Sequence, residues 1–241
     1  SALVILAIGE DPMGALGTML RGAVGTGEGI GYTLYYATSL IFTALAVAIA
    51  FHGGLFNIGG EGQAYIGGLG VGLVCLALPG WPWWAALPLS VLGGAAFGAL
   101  WAAIPGWLQA YRGSHIVITT IMFNYIASNL MLYMLLNVFK PLGQMAAQSR
   151  TFEAGGQLPK LDWLLAIFGL DIGGAPFNFA FLVALVAAFV VWVLIWRTRL
   201  GYEMRTMGFQ PHAARFAGMK SKRIIVVAML ISGALAGLMA L

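Results

Sequence analysis

Long apolar runs separated by short polar segments make up most of this chain. A helix needs about 20 apolar residues to cross the hydrocarbon core of a bilayer, and several runs approach or exceed that length. We predict membrane spans at Tyr32–Phe51, Leu55–Leu78, Trp84–Gln109, Ile116–Phe139, Phe177–Trp196 and Ile224–Leu241. The pattern indicates an all-α, polytopic helical membrane protein with a single transmembrane domain over residues 1–241.

Composition supports this fold class and excludes others. Apolar residues make up 61% of the chain and charged residues only 8%, whereas soluble domains carry about 25% charged residues. The formal charge of +4 comes from basic residues beside the apolar runs, so it does not indicate a nucleic-acid partner. The single cysteine, Cys75, excludes an internal disulfide. Because both ends of the sequence fall inside apolar runs, we expect a truncated chain that is incomplete at both ends.

The distribution of Lys and Arg predicts the orientation in the membrane. The segment Arg197–Arg223 holds 7 of the 12 basic residues and one acid, Glu203, and such segments stay in the cytoplasm. The segment Lys140–Pro176 has balanced charges, which is typical of an outer segment. Within it, Trp163–Phe168 is predicted to form a short interfacial helix.

A polar break is expected around Glu61, which is the only charged residue between Glu28 and Arg112. A carboxylate at bilayer depth costs about 2.5–3.5 kcal/mol and usually faces a bundle interior or a water-filled path. The surrounding glycines predict that Asn57–Gln63 interrupts the helix, as a broken or re-entrant segment that lines a cavity. Glu61 could equally be a structural group that holds the broken helix together.

The fourth predicted span carries a second polar cluster, formed by Thr119, Thr120, Asn124 and Tyr125. Thr120 and Asn124 are four residues apart and therefore share one helix face. The threonine hydroxyls could also bond to the backbone of their own helix instead of lining a path.

The predicted cytoplasmic segment contains a second informative stretch, Gly208–Met219. Pro211 suits a first helical turn and Gly218 suits the residue just past a helix end, which predicts a short helix at His212–Ala217. A helix this short is unstable alone in water, so it needs a surface to dock on. That surface is either another protein or the anionic membrane surface.

Chemistry for catalysis is missing from the sequence. There is no phosphate-binding P-loop and no His-Glu-x-x-His zinc motif, and we expect no catalytic or metal-binding residues. The spacings Gly94-x-x-x-Gly98 and Gly233-x-x-x-Gly237 predict close helix packing within the bundle.

Two motifs, Phe-Asn-Ile-Gly-Gly-Glu-Gly-Gln at 56–63 and Ile-Thr-Thr-Ile-Met-Phe-Asn-Tyr-Ile at 118–126, resemble those of a known family. This family comprises the permease subunits of bacterial ABC importers for branched-chain amino acids and simple sugars, and the motifs are similar to its nucleoside and simple-sugar subgroup. The segment Gly208–Met219 is similar to the family's coupling helix, which docks on the ATP-binding subunit. The resemblance runs from about Asp11 to the end of the chain.

The resemblance implies a permease domain in the bacterial inner membrane that transports nucleosides or related sugars. It implies ATP-binding cassette subunits that hold the ATP, so no cofactor is expected in this chain. It also implies a second permease subunit, as a homodimer or heterodimer, and a periplasmic or lipid-anchored binding protein of the Bmp type. The lipid bilayer surrounds the chain, and no nucleic acid is expected.

Two sets of site residues follow from the motifs. The substrate path is expected to include Phe56, Asn57, Glu61, Gln63, Thr119, Thr120, Asn124 and Tyr125. The coupling segment at 197–223 is expected to act through Gly208, Pro211, His212, Ala213, Ala214, Arg215 and Gly218, with Ala213 and Ala214 facing the ATP-binding subunit. The alternative function is a self-contained, ion-coupled secondary transporter or channel with Glu61 as its ion site.

Overall fold

The computed structural model describes residues 2–141, 143, 145–152, 156–167 and 169–241. It divides into two compact units, one formed by Ser1–Thr38 with Pro159–Leu182 and one by Ser39–Leu158 with Val183–Leu241. Helices dominate the described residues, and the only β-structure found there is an isolated bridge between Lys160 and Asn178. The prediction of an all-α, polytopic membrane protein is confirmed.

The first unit begins with two helices, α1 (Ala2–Ala7) and α2 (Pro12–Val24), and includes the start of α3 (Gly27–His52). Helix α2 was not among the predicted elements, which began at Tyr32. The signal was present, because Asp11 caps the helix and Pro12 occupies its first turn. The Asp11 carboxylate accepts hydrogen bonds from the backbone N–H groups of Met13 at 3.0 Å and Gly14 at 2.8 Å.

The second part of this unit, residues 159–182, is folded around a small apolar core. Its buried members are Leu161, Leu165, Ile172, Ala175 and Phe177. The short helix predicted at Trp163–Phe168 is present as α7 (Asp162–Ala166), and Phe168 lies outside the described residues.

The second unit holds most of the long helices. After α3 the chain continues through α4 (Gly60–Ala77), α5 (Trp83–Trp107) and α6 (Ile116–Met134), and π-helical turns at Leu108–Arg112 and Leu135–Phe139 extend the last two. The remaining helices are α8 (Ala180–Arg197), α9 (Arg199–Phe209), α10 (Pro211–Phe216) and α11 (Ser221–Gly237), and a 3₁₀ turn at Leu238–Ala240 follows α11.

Five described helices are long and apolar enough to cross a membrane: Gly27–His52, Trp83–Arg112, Ile116–Phe139, Ala180–Arg197 and Ser221–Ala240. They match five of the predicted spans. The sixth prediction, Leu55–Leu78, is wrong at its start, because α4 begins only at Gly60. Glycines, Glu61 and Gln63 reduce the apolar character of α4, and much of it is buried within the chain.

Close glycine contacts hold α4, α5 and α11 together, as the small-residue spacing predicted. Gly98 of α5 packs against Gly233 of α11, and Gly94 packs against Gly237 one turn further along. A Cβ atom on Gly233 would lie 2.5 Å from the carbonyl oxygen of Gly98, so the two backbones approach too closely for any larger residue.

The segment predicted as polar and cytoplasmic, Arg197–Arg223, contains both α9 and α10. Helix α9 was not predicted. The short helix expected at His212–Ala217 is present one residue earlier, as Pro211–Phe216. Pro211 opens it and Gly218 follows it with a left-handed φ of 78°, as the two signals indicated.

Candidate functional site

The chain reverses direction after α3 and re-enters the bundle. Gly54 has a left-handed φ of 70°, and the N–H of Leu55 donates to the carbonyl of Ala50 at 2.9 Å, which closes a tight turn. The side chain of Asn57 then donates to the Ser232 hydroxyl at 2.9 Å, which itself donates to the carbonyl of Ala46 at 2.7 Å. Asn57 is therefore level with Ala46, about 9 Å back along α3 from its last residue.

This return path puts the start of α4 at bilayer depth. Ser232 lies about 16 Å along α11 from the first residue of that helix, near the middle of the candidate spanning helix Ser221–Ala240. Only residues 53–59 are non-helical, while Glu61 and Gln63 belong to the first turn of α4. The prediction that Asn57–Gln63 interrupts a helix is therefore wrong in detail. The break separates α3 from α4, because the carbonyl of Gly59 already accepts the first α4 hydrogen bond, from the N–H of Gln63.

Asn57 and Gln63 form a buried clamp across this break. The Asn57 amide donates to Gln63 Oε1 at 3.0 Å, and Asn57 Oδ1 accepts from Gln63 Nε2 at 3.2 Å and from the N–H of Gly59 at 2.9 Å. Only 9% of Asn57 and 1% of Gln63 is exposed. Buried amides of this kind must be fully bonded, and these two bond to each other and to the turn.

Asn124 fixes the same break from α6. Its side chain accepts from the N–H of Gly62 at 2.9 Å and donates to the carbonyl of Ile58 at 2.9 Å. Thr120, fully buried, packs against Gly59. Thr120 and Asn124 therefore do share the helix face that meets the break, as their spacing predicted.

The two threonine hydroxyls bond to their own helix. Thr119 donates to the carbonyl of His115 at 3.0 Å, and Thr120 donates to that of Val117 at 3.1 Å. The sequence left open whether these hydroxyls line a path or bond to their own helix, and the structure shows that they bond to their own helix. Tyr125, in contrast, is 69% exposed.

Glu61 presents its carboxylate on the surface of this unit. The phenol of Tyr65, four residues further along α4, reaches Glu61 Oε1 at 3.4 Å. Among the described residues the one ion pair is Arg199–Glu203, so no cation neutralises Glu61. Its position in the first turn of α4 is favourable, because the positive end of the helix dipole stabilises a carboxylate there.

Two residues of this site were missed in the sequence. Ser232 joins the clamp, and it was not among the predicted site residues. Tyr65 bonds to Glu61. Tyr65 could have been found from its spacing of four residues after Glu61, which places both on one helix face.

The second site, on α9 and α10, differs from its prediction at one residue. Ala214 is fully buried in the chain's own core, which also contains Met204 and Met207 of α9. The expectation that Ala214 faces a partner is therefore wrong, because its methyl group anchors α10 to α9. The exposed residues around it include His212, Ala213, Arg215 and two unpredicted aromatics, Phe209 and Phe216.

The last turn of α9 touches the re-entrant turn directly. A Cβ atom on Gly208 would lie 2.5 Å from the carbonyl oxygen of His52 and 3.0 Å from the backbone nitrogen of Gly54. Only glycine fits at this crossing. The segment that carries α10 is thus in backbone contact with the break that leads to Glu61.

Comparison with known proteins identifies the family. Residues 29–241 match the family model described as the permease component of branched-chain amino acid transport systems. The chain belongs to this permease family. The matched range includes the break, both polar motifs and α10. Membership of this family and the five apolar helices together identify the chain as a multi-pass inner membrane protein.

Three relatives of this permease are similar over 98% of its length. It is 37% identical over 237 residues to the guanosine ABC transporter permease protein NupP of Bacillus subtilis, and 33% identical over 240 residues to the nucleoside ABC transporter permease protein NupB of Lactococcus lactis. It is 33% identical over 242 residues to the glucose ABC transporter permease protein TsgB13 of Haloferax volcanii. The chain spans 66%, 65% and 62% of these relatives, respectively. No solved structure shows significant similarity to it.

Proposed function

We propose that this chain is a permease subunit of an ATP-driven importer that moves nucleosides, or related simple sugars, across the inner membrane. The observation that carries the proposal is the similarity over 98% of the chain to permeases named for guanosine and for nucleosides. A relative named for glucose keeps sugars within the proposed substrate class.

In this proposal the chain has no enzymatic activity of its own. ATP is bound and hydrolysed by separate ATP-binding cassette subunits, so this chain needs no cofactor. A second permease subunit completes the path, and a periplasmic or lipid-anchored binding protein delivers the substrate. Residues 1–241 act as one permease domain, and residues 197–223 act as its coupling segment.

The contacts of the break support a division of roles among the predicted path residues. Asn57, Gln63 and Asn124 use their polar groups within the chain, and therefore shape the path without contacting substrate. Glu61, Phe56 and Tyr125 are exposed and available to a ligand, and Tyr65 joins them. Aromatic rings and a carboxylate suit a nucleoside, which presents a flat base and several hydroxyl groups.

The exposed face of α10 supports docking on an ATP-binding subunit. Ala214 holds the helix on the membrane domain, and the opposite face presents Ala213, Arg215 and Phe216. A docked aromatic side chain is a common anchor in protein interfaces, and an arginine at the rim contributes specificity. Pro211 and Gly218 set the two ends of this helix, and Gly208 links it to the break.

Uptake in proteoliposomes tests the proposal. We expect the complete complex, with its binding protein outside and ATP inside, to accumulate labelled guanosine, and unlabelled nucleosides to compete. Collapse of ion gradients by ionophores should leave uptake unchanged, and omission of ATP should stop it. Uptake that follows the ion gradient and ignores ATP would instead establish a secondary transporter.

A further inference from the structure

Two adjoining cavities lie where α9 and α11 meet at the predicted cytoplasmic side of the membrane. The first has a volume of about 390 Å³, and its lining includes Arg199, Glu203, Lys220 and Arg223. The second, of about 380 Å³, shares Arg199, Glu203 and Arg223 with it and continues to Leu200 and Val227. The shared residues make the two cavities one continuous groove.

The outer half of this groove carries uncompensated positive charge. Three of its lining residues are cations and one is an acid, and Glu203 Oε1 already accepts from Arg199 Nε at 3.0 Å. Lys220 and Arg223 therefore supply net positive charge with no carboxylate of the described chain against them. They also flank the first turn of α11, whose dipole is positive at that end, so an anion between them relieves repulsion.

The inner half of the groove is apolar. Val227 lies six residues into α11 from Ser221, which is about 9 Å into a membrane-spanning helix. Leu200 faces the same space from α9. The groove thus changes from cationic to apolar in the direction in which a bilayer changes from headgroups to acyl chains.

We infer that this groove binds an anionic phospholipid of the cytoplasmic leaflet. The phosphate lies between Lys220 and Arg223, and the first part of an acyl chain lies along Leu200 and Val227. A free phosphate ion would occupy only the cationic outer half of the groove. An acidic loop of a soluble partner would also bind there and would leave the apolar half around Val227 empty. The cytoplasmic leaflet is rich in anionic lipids, and basic pockets between spanning helices are sites where their headgroups bind.

Lys222 provides a matched control for the charge of Lys220. It lies two residues away on the same helix turn, but it lines neither cavity, and its Nζ lies 5.0 Å from the centre of the Tyr111 ring. Lys220→Gln and Lys222→Gln therefore remove the same charge at nearly the same membrane depth. Both side chains are exposed, so neither substitution disturbs the core.

The test uses the full-length protein, delipidated in neutral detergent and titrated with phosphatidylglycerol or phosphatidylcholine. Binding is read from the rise in melting temperature and from native mass spectrometry of retained lipid. We expect phosphatidylglycerol to bind and phosphatidylcholine to bind much more weakly. Loss of one cation should weaken phosphatidylglycerol about five-fold in Lys220→Gln, whereas Lys222→Gln should stay close to wild type.

Three results would overturn the inference. Equal weakening by both substitutions would show general attraction to a basic surface. An equal rise in melting temperature with inorganic phosphate, added at the same concentration, would show a free-anion site. Unchanged lipid binding by Lys220→Gln, with loss of the co-purifying ATP-binding subunit, would assign the groove to that subunit.

Discussion

At the scale of single residues, the polar side chains of the re-entrant break differ in whether their hydrogen bonds are made within the chain. Asn57 and Gln63 bond to each other and Asn124 bonds to the break, while the carboxylate of Glu61 meets only the Tyr65 phenol, at 3.4 Å, among the described residues. A group bonded internally supports the fold, and a group left exposed at bilayer depth is available for function. The two kinds of residue should respond differently to substitution.

Substitution of Asn57 should lower stability. Asn57→Ala leaves the buried amide of Gln63 without its partner and removes the donor to the Ser232 hydroxyl, which costs about 1–3 kcal/mol. In a protein of this size that lowers the melting temperature by roughly 2–12 °C. Asn129→Ala is the control, because Asn129 is exposed and its side-chain amide donates to the carbonyl of Tyr125 in its own helix. Equal melting temperatures of the two variants in detergent would contradict the structural role of Asn57.

Substitution of Glu61 should instead affect transport. We expect Glu61→Leu to abolish nucleoside uptake, because it removes the polar group from the start of α4. Glu61→Gln should keep part of the uptake, since its side-chain oxygen still accepts the Tyr65 hydrogen bond. The measurement is ATP-driven uptake at matched protein levels. Wild-type uptake by Glu61→Leu would remove Glu61 from the path.

At the scale of helices, α10 shows that local sequence signals give the position of a short helix but not its buried face. Pro211 and Gly218 predicted the position of the helix to within one residue. They could not predict which face is buried, because that depends on the tertiary packing of Ala214 against Met204 and Met207 of the neighbouring helix α9. The same reason applies to α9, whose only strong local sign is Thr198, which caps it by accepting from the N–H of Gly201 at 3.1 Å.

Adjacent alanines on α10 provide a test of its two faces. Ala213→Trp adds volume to the exposed face, so it should block docking of the ATP-binding subunit without lowering the melting temperature. Ala214→Trp adds the same volume to the packed core, so it should destabilise the chain itself. Co-purification and thermal unfolding separate the two effects. If Ala213→Trp co-purifies normally and couples ATP hydrolysis to uptake, α10 is not the docking helix.

Glycine contacts between α5 and α11 give a further prediction at this scale. Gly98→Ala places a methyl group against the backbone of Gly233, so the helices must separate and the melting temperature should fall. Gly17→Ala is the same change on α2, where a Cβ atom meets nothing within 4 Å. That control should be neutral or slightly stabilising, by about 0.5–1 kcal/mol. A fall in melting temperature for Gly17→Ala alone would contradict this packing.

At the scale of the whole molecule, five of the six spans predicted from apolar length are present, because a run of about 20 apolar residues has few alternatives in a bilayer. The path by which the chain returns from Gly54 to Asn57 could not be predicted from apolar length. It depends on Ser232 and Asn124, which lie far away in the sequence and supply the hydrogen bonds that a non-helical backbone needs at that depth. Local pattern located the polar break, and tertiary contacts decided its shape.

Orientation across the membrane is the remaining whole-molecule prediction. The excess of Lys and Arg in 197–223 predicts that this segment is cytoplasmic and that 140–176 is outside. Gln157 and Gln210 are exposed members of the two segments. Cysteines introduced at these positions should therefore react differently with a membrane-impermeant thiol reagent. The background is Cys75→Ala, which removes the one native thiol at a buried position.

In intact cells the reagent should label Gln157→Cys and leave Gln210→Cys unmodified, because only the first is reached from outside. Permeabilised cells are the control, and there both variants should react, which shows that protection of Gln210→Cys comes from the membrane and not from packing. Labelling of Gln210→Cys in intact cells would show that the orientation is the reverse of the predicted one. It would also place α10 on the side without ATP, and the proposed docking of α10 on an ATP-binding subunit would then be excluded.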